Sequence, residues 1–132
     1  MNIFKTVCNA IIERRNERNK QKELDKIIKE VCSDKYEYEH RPAYGTIIFE
    51  ELTPFLRPCP KCGKNVKLEY HNEMYVNHYN RYAIKCYDTN GCHLSEKMKL
   101  NVCPDVCFYR LSEKDRERYM REIITKWNTQ NN

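Results

Sequence analysis

The stretch of sequence that decides the fold is RPCPKCGK, residues 57–64. Cys59 and Cys62 are separated by two residues, and Gly63 follows directly. This spacing is typical of a tight turn that points two thiolates at one metal ion, and a glycine permits the left-handed backbone with which such a turn ends. The stretch therefore predicts one half of a metal site.

A second pair of cysteines follows in KCYDTNGCH, residues 85–93. Five residues separate Cys86 from Cys92, so this loop is wider, and its Asn90-Gly91 dipeptide favours a turn. The 23 residues between the two pairs are enough for a β-hairpin that brings four sulfurs together, in the tetrahedral arrangement that Zn²⁺ prefers. We therefore predict one structural Zn²⁺ ion with the ligands Cys59, Cys62, Cys86 and Cys92.

Other ligand sets remain open for the second half of the site. His93 could replace Cys92, or the later pair Cys103 and Cys107 could supply the second half of the site and leave Cys86 and Cys92 as ordinary buried thiols. A second zinc ion at the later pair would need two further ligands, for which the candidates are His71, His78 and His93.

Composition limits the cellular compartment and the class of partner. The chain has 132 residues, eight cysteines and a formal charge of +5, and its N-terminus lacks the apolar core and cleavage site of a secretory signal. No apolar run is long enough to span a bilayer. We therefore expect a cytoplasmic protein with no membrane partner, in which reduced thiols bind metal. A zinc ion with four thiolates would lower the positive charge, which leaves a weak electrostatic argument for nucleic-acid binding.

The sequence contains no pattern that is typical of catalysis. Four cysteines close the coordination sphere of zinc, whereas a catalytic zinc keeps an open position and usually has His or carboxylate ligands. The chain has no HExxH motif and no glycine-rich phosphate loop, and it contains only three glycines. We predict that the protein is not an enzyme and that it works by binding.

Helical periodicity marks both ends of the chain. Residues 3–31 carry an apolar stripe, but the segment ERRNERNKQKE, residues 13–23, has no apolar residue, so this is one helix with a solvated centre or two shorter helices. We interpret the charge run as a solvated helix face, and Cys8 and Cys32 as packing residues near the stripe. A C-terminal helix is predicted over residues 113–127, after a capping pattern at Ser112. The stripe consists of Ile3, Val7, Ile11, Leu24, Ile28 and Val31.

The region between the helices is predicted to be a small antiparallel sheet. Residues 33–45 contain Pro42 and Gly45 and indicate a connecting segment, so we place a helical extension at 1–45 and a zinc-ribbon domain with the C-terminal helix at 46–132. The fold class is α+β, a zinc ribbon with a three-stranded antiparallel sheet. After a short β-prone run from Thr46 to Leu52, the strands are expected at residues 66–72, 74–86 and 97–102.

In this order, LRPCPKCGK, IKCYDTNGC and a final helix that ends in TKWNT resemble the Lar-type restriction-alleviation zinc ribbons of phages and prophages. The resemblance covers about residues 56–128. It implies a small phage protein that relieves host restriction in the host cytoplasm by contacting host defence proteins. This chain departs from the pattern in its N-terminal extension, its wider second cysteine pair and an insertion over residues 93–111. The matching positions are Cys59, Cys62, Cys86, Cys92, Trp127 and Asn128.

Three binding hypotheses follow. The first is an inhibitor of a host defence protein, with a Tyr- and Arg-rich contact segment of the kind enriched at interfaces; its candidate residues are Tyr36, Tyr38, His40, Arg41 and Tyr44. The second is a nucleic-acid-binding ribbon in which cations meet phosphates and Tyr75, Tyr79 or Tyr82 stack on bases; its candidate cations are Lys61, Lys64, Lys67, Arg81 and Lys85. The third is a homodimer held by Ile3, Val7 and Ile11.

Overall fold

A computed structural model describes residues 3–40, 45–72, 81–86, 99–101 and 110–129. Its elements form an α+β fold with an antiparallel sheet between helices at the two ends. In chain order they are α1 (Ile3–Val31), α2 (Asp34–His40), β1 (Gly45–Phe49), a 3-10 helix (Glu50–Phe55), β2 (Val66–Asn72), β3 (Arg81–Cys86), β4 (Lys99–Asn101) and α3 (Glu113–Thr129). None of the described helices has the length and apolar character needed to cross a lipid bilayer.

Helix α1 is one continuous helix of 29 residues, so the first of the two alternatives for residues 3–31 is confirmed. Its two ends have different surroundings. Ile28 and Val31 are each only 1% exposed, whereas Ile3 is 81% exposed. We call residues 3–20 the arm, because their described side chains are exposed apart from the partly exposed Cys8. The remaining described residues are called the body.

The four strands pair as neighbours in the order β1-β2-β3-β4, and each pair is antiparallel. Strand β2 has the predicted bounds. Strands β3 and β4 lie within the predicted ranges, of which residues 74–80, 97–98 and 102 are outside the described residues. Strand β1 adds a fourth strand from the β-prone run that begins at Thr46, and this run turns into the 3-10 helix after Phe49.

Residues 34–40 form a short helix, α2, so the prediction of a mere connecting segment was wrong for this part. The residue that sequence reasoning missed is Ser33, whose hydroxyl accepts a hydrogen bond from the Tyr36 backbone amide at 3.1 Å and donates to the Glu30 carbonyl at 2.7 Å. A serine at this position satisfies amides that would otherwise lack partners at the start of a helix. Residues 41–44 are outside the described residues.

The core lies between one face of the sheet and the helices α1 and α3. The register aligns Phe49 with Leu68 and Leu68 with Ile84, and side chains of every second residue share a face. The end of α1 packs on these strand residues, and so does the face of α3 that was predicted to be apolar. The buried residues of that face are Met120, Ile123, Ile124 and Trp127. Core side chains therefore come from both sides of residue 45, where we placed a domain boundary that stays a prediction.

Two polar contacts orient α3 within this core. Ser112 caps the helix as expected, because its hydroxyl accepts a hydrogen bond from the Asp115 amide at 3.1 Å. Farther along, the buried guanidinium of Arg116 donates to the Cys32 carbonyl at 3.0 Å and to the Asp34 carboxylate at 2.7 Å. Arg116 thus joins α3 to the point where α1 ends and α2 begins.

Candidate metal centre

The first two predicted ligands, Cys59 and Cys62, lie in a closed turn. The backbone amide of Gly63 donates to the Cys59 carbonyl at 2.7 Å, and the Cys59 amide donates to the Lys64 carbonyl at 2.8 Å. Gly63 has a φ of +74°, which is the left-handed backbone expected of it. An L side chain at this position would be strained, since a Cβ disfavours this conformation. We call residues 59–64 the cysteine turn.

The third predicted ligand, Cys86, lies at the end of the sheet that is next to this turn. Cys86 is the last residue of β3, and the register aligns it with Val66, the first residue of β2. Only two residues separate Gly63 of the cysteine turn from Val66. Cys86 also lies on the face of β3 that carries Ile84, since the two residues are two positions apart. The sheet therefore fixes Cys86 beside the cysteine turn.

The sulfur atoms of Cys59, Cys62 and Cys86 all lie within 4.8 Å of one another. Within this group, Cys62 Sγ and Cys86 Sγ are 3.2 Å apart. A disulfide bond is about 2.05 Å long, whereas two sulfurs around a tetrahedral zinc with Zn–S bonds of about 2.3 Å lie about 3.8 Å apart. Three separate thiols thus converge at nearly the spacing of metal ligands, and this group of three could hold a metal ion.

The burial of the three thiols differs. Cys59 and Cys86 are buried, and Cys62 is partly exposed at the outer side of the cluster. The predicted fourth ligand, Cys92, lies outside the described residues, and so do the alternatives His93, Cys103 and Cys107. The choice among these four residues stays a prediction.

The segment that leads into the cysteine turn is held by the end of α3. The indole Nε1 of Trp127 donates to the Arg57 carbonyl at 2.9 Å. The Asn128 side chain bonds the same segment twice, since its Nδ2 donates to the Phe55 carbonyl at 2.9 Å and its Oδ1 accepts from the Arg57 amide at 2.9 Å. We call these three hydrogen bonds the Trp-Asn contact. Sequence reasoning identified this dipeptide only through a family resemblance and did not foresee the contact.

The proposed partner-binding segment is split between core and surface. Tyr36 is 9% exposed and stacks on His40, with ring centroids 3.8 Å apart. The expectation that its ring contacts a partner was therefore wrong. Burial raises the pKa of the Tyr36 hydroxyl. Tyr38 is 76% exposed, and His40 is also exposed. Arg41 and Tyr44 lie outside the described residues.

The proposed nucleic-acid-binding residues do not form one free cationic surface. Lys61, Lys64 and Lys85 are exposed, but Lys67 forms an ion pair with Glu50 at 2.7 Å. Arg81 is only partly exposed. Tyr82 is fully buried and contacts Tyr70 edge to face at 4.9 Å, so it cannot stack on a base. Tyr75 and Tyr79 lie outside the described residues.

The other metal-ligand candidates among the described residues are engaged elsewhere. His71 lies on β2, with Nε2 3.0 Å from the Glu69 carboxylate and Nδ1 3.2 Å from the Thr46 hydroxyl oxygen. Cys32 is buried, and its thiol lies 3.6 Å from the Met120 sulfur. Burial, with a smaller contribution from Glu117, raises the pKa of the Cys32 thiol to about 12. Cys32 is therefore a core residue, as predicted, and not a reactive thiol.

Comparisons with protein-family models, with curated proteins and with solved structures found no match to this chain. The resemblance to Lar-type ribbons accordingly stays a prediction that rests on the residues that suggested it.

Proposed function

We propose that the chain is a zinc ribbon in which Cys59, Cys62, Cys86 and Cys92 hold one structural Zn²⁺ ion, and that the protein acts by binding a host defence protein. The observation that carries the metal proposal is the convergence of three thiols from the cysteine turn and from the end of β3. Zinc suits this donor set because thiolates favour it over harder cations in tetrahedral sites.

The role proposed for the ion is structural. Two of the three clustered cysteines are buried, and a fourth cysteine would complete a closed coordination sphere with no position for a substrate. The ion would join the cysteine turn to the end of β3, since Cys62 and Cys86 are neighbours in space although they are 24 residues apart in sequence. The chain's own residues then provide the binding surface, and the metal takes no part in a reaction.

The proposal of a defence protein as partner comes from the resemblance to Lar-type restriction-alleviation proteins. One structural observation supports treating its motifs as a unit. The Trp-Asn contact joins two of the three segments that carry the resemblance, since Trp127 and Asn128 bond directly to the residues before Cys59. Residues that are far apart in the pattern are therefore neighbours in the fold. We propose that the protein acts in the host cytoplasm.

Metal analysis of the purified protein tests the first part. We expect about one zinc per chain, and loss of zinc in Cys62→Ser, because a closed site needs all four thiolates. Cys92→Ser, His93→Ala and Cys103→Ser would identify the fourth ligand, and Cys8→Ser in the arm is the matched control. A protein that binds no zinc, or a Cys62→Ser variant that binds it normally, would contradict the proposal.

A restriction assay tests the second part. We expect expression of the chain to raise the plating efficiency of unmodified phage on a restricting host, with no effect on a host without restriction. Tyr38→Ala should reduce this effect while zinc content stays normal, because Tyr38 is the exposed aromatic residue among the described residues of the proposed contact segment. Lys85→Ala on the sheet is the control. An unchanged plating efficiency with the zinc-loaded protein would reject the defence partner and leave the metal site intact as a finding.

A further inference from the structure

The cations in the middle of α1 lie on one face of the helix. Because α1 is continuous through the charge run, Arg14, Arg18 and Lys22, each four residues apart, stack along one side, and Arg15 lies three residues before Arg18. All four side chains are exposed. We call Arg14, Arg15, Arg18 and Lys22 the cationic row. It extends over about 12 Å of the helix axis at 1.5 Å per residue.

The positive charges of this row are nearly uncompensated. Neither Arg15 nor Arg18 has an acidic residue three or four positions away, Arg14 has only Glu17, and Lys22 has only Asp25. Among the described residues, no carboxylate forms an ion pair with the row. The row therefore consists of like charges side by side, an arrangement that destabilises an isolated helix.

Asp25 does not neutralise the row, because its carboxylate forms an ion pair with Arg121. Its carboxylate accepts a 2.6 Å hydrogen bond from Arg121 of α3 and a 3.0 Å bond from Gln21. Both hydrogen bonds lower the pKa of Asp25, and the one from Arg121 has the larger effect. The carboxylate three residues after Lys22 is thus paired with α3.

We infer that the cationic row binds the sugar-phosphate backbone of a nucleic acid. A duplex presents roughly seven phosphate charges over the 12 Å that the row covers. Three of the four cations are arginines, whose planar guanidinium groups can bond a phosphate through two N–H groups. Cations aligned along one helix face are a typical electrostatic footprint of nucleic-acid binding.

The neighbours of the row favour this ligand over two others. Residues 13–23 contain no apolar residue, and the uncharged ones are Asn16, Asn19 and Gln21, all amides of the kind that bond phosphates and sugars. The exposed Val7 and Ile11 lie on the same side of α1, but they precede the row, and no apolar residue lies between its cations. A membrane-binding face would carry apolar residues along the full length of the row, and a protein interface would have a central aromatic or apolar anchor. This inference does not rest on the proposed defence partner, and it places the phosphate contacts away from the cysteine turn.

The test uses the full, zinc-loaded chain. Fluorescence anisotropy would measure binding to a labelled 20-base-pair DNA duplex, and to a single-stranded RNA of the same length, across a salt series. The row variant combines Arg15→Gln, Arg18→Gln and Lys22→Gln, and circular dichroism would check that its helix is kept, since Gln is a good helix former. The matched control combines Lys20→Gln, Lys35→Gln and Lys114→Gln, which are exposed elsewhere and change the net charge equally.

We expect the native chain to bind at least one of the two probes, with an affinity that falls as salt rises. The row variant should bind at least about tenfold more weakly at 0.1 M salt, and its slope of log K against log salt should fall by about 2 to 3, since each lost phosphate contact removes about 0.9. The control should lose much less. Native binding that is absent at low salt, or equal losses in the row variant and the control, would overturn the inference.

A third variant distinguishes this surface from the cysteine turn. Lys61→Gln, Lys64→Gln and Lys85→Gln together remove the exposed cations of the earlier nucleic-acid hypothesis. We expect their combined effect to be no larger than that of the matched control. A larger loss in this variant than in the row variant would move the contacts to the ribbon and reject the cationic row.

Discussion

The arm and the body contain parts of the same helix, yet they are stabilised by different means. Ile11 in the arm is 48% exposed, whereas Ile28, in the body part of α1, is 1% exposed and packs in the core. The arm has the backbone hydrogen bonds of a helix, and most of its side chains are exposed. Most helical stability in proteins comes from packing of an apolar face against other elements, which the exposed side chains of the arm do not provide. The difference shows that one unbroken helix can contain a segment fixed by the core and a segment of low local stability.

The body, in contrast, is connected by long-range contacts. Its first and last helices meet through the Asp25–Arg121 ion pair and the buried Arg116. The Trp-Asn contact joins residues 55–57 to the end of α3, and the three clustered thiols join the cysteine turn to the end of β3. Stability in such a structure is cooperative, whereas the arm should open locally. The experiments perturb one of the two regions, and most of them compare it with the other.

Metal removal should have the largest effect. Structural zinc contributes roughly 10–16 kcal/mol of apparent stability in small peptides, which matches or exceeds the total stability of about 5–15 kcal/mol of an ordinary domain. We expect a strong chelator to unfold the body, which hydrogen exchange would report as loss of protection in β2, β3 and α3. Exchange in the arm should be fast before and after. A body that keeps its protection without metal would show that the core alone is sufficient.

Truncation of an isoleucine in each half of α1 should have the next largest effect. Ile28→Ala leaves a cavity in the core and should lower the free energy of unfolding by about 2–5 kcal/mol. Ile11→Ala is the matched control in the same helix and should change it by less than about 0.5 kcal/mol, as surface substitutions do. Urea unfolding would measure both. A large loss in Ile11→Ala would indicate that the arm packs on another surface, such as a second copy of the chain.

Loss of the Asn128 side chain should have an intermediate effect. Asn128→Ala removes two hydrogen bonds to the segment before the cysteine turn, each worth about 0.5–1.5 kcal/mol, so we expect a loss of about 1–3 kcal/mol. Zinc affinity should weaken in parallel, because the segment would be less well positioned. Thr129→Ala, at the next position, is the control, because its hydroxyl donates to the Thr125 carbonyl within α3. Equal effects of the two variants would contradict a specific role for the Trp-Asn contact.

Local patterns in the sequence were sufficient to predict most of the fold. The spacing of apolar residues predicted both long helices, and Ser112 was identified as a cap for α3. Alternation predicted β2 with its observed bounds. The short helix α2 was missed because Pro42 and Gly45 dominated the interpretation of residues 33–45. The capping side chain of Ser33, three residues before Tyr36, was the available signal.

The candidate site was predictable only in part, for a physical reason. The CPKCG spacing is a local signal, so the geometry of Cys59 and Cys62 followed from sequence, including the positive φ of Gly63. Cys86 lies beside the cysteine turn because β2 pairs with β3. The number of residues between the cysteine pairs indicates a hairpin but does not determine the register of its strands. The burial of Tyr36 and Tyr82 depends on long-range packing, and for this reason neither was foreseen. A continuous α1 was also needed before its cations could be aligned as a row.

The smallest predicted effect is a loss of stability at high pH that belongs to the body alone. The pKa of Cys32 rises from an ordinary value of 9.0 to about 12 in the fold, mainly because of burial. Burial thus disfavours the thiolate, and the unfolded chain loses this proton first as pH rises. The contribution of Cys32 is therefore intact below pH 9 and is lost progressively between about pH 9 and pH 12.

At pH 10 the loss should be about 1 kcal/mol relative to pH 8. Urea unfolding of the zinc-loaded, reduced protein at pH 8, 9 and 10 would measure it. Cys32→Ala should lower stability at pH 8 because it leaves a small cavity, but its stability should then fall less steeply with pH than that of the native chain. Cys8→Ala in the arm should leave the slope unchanged. If Cys32→Ala and the native chain have the same slope, titration of other groups dominates, and burial of this thiol does not distinguish the body from the arm.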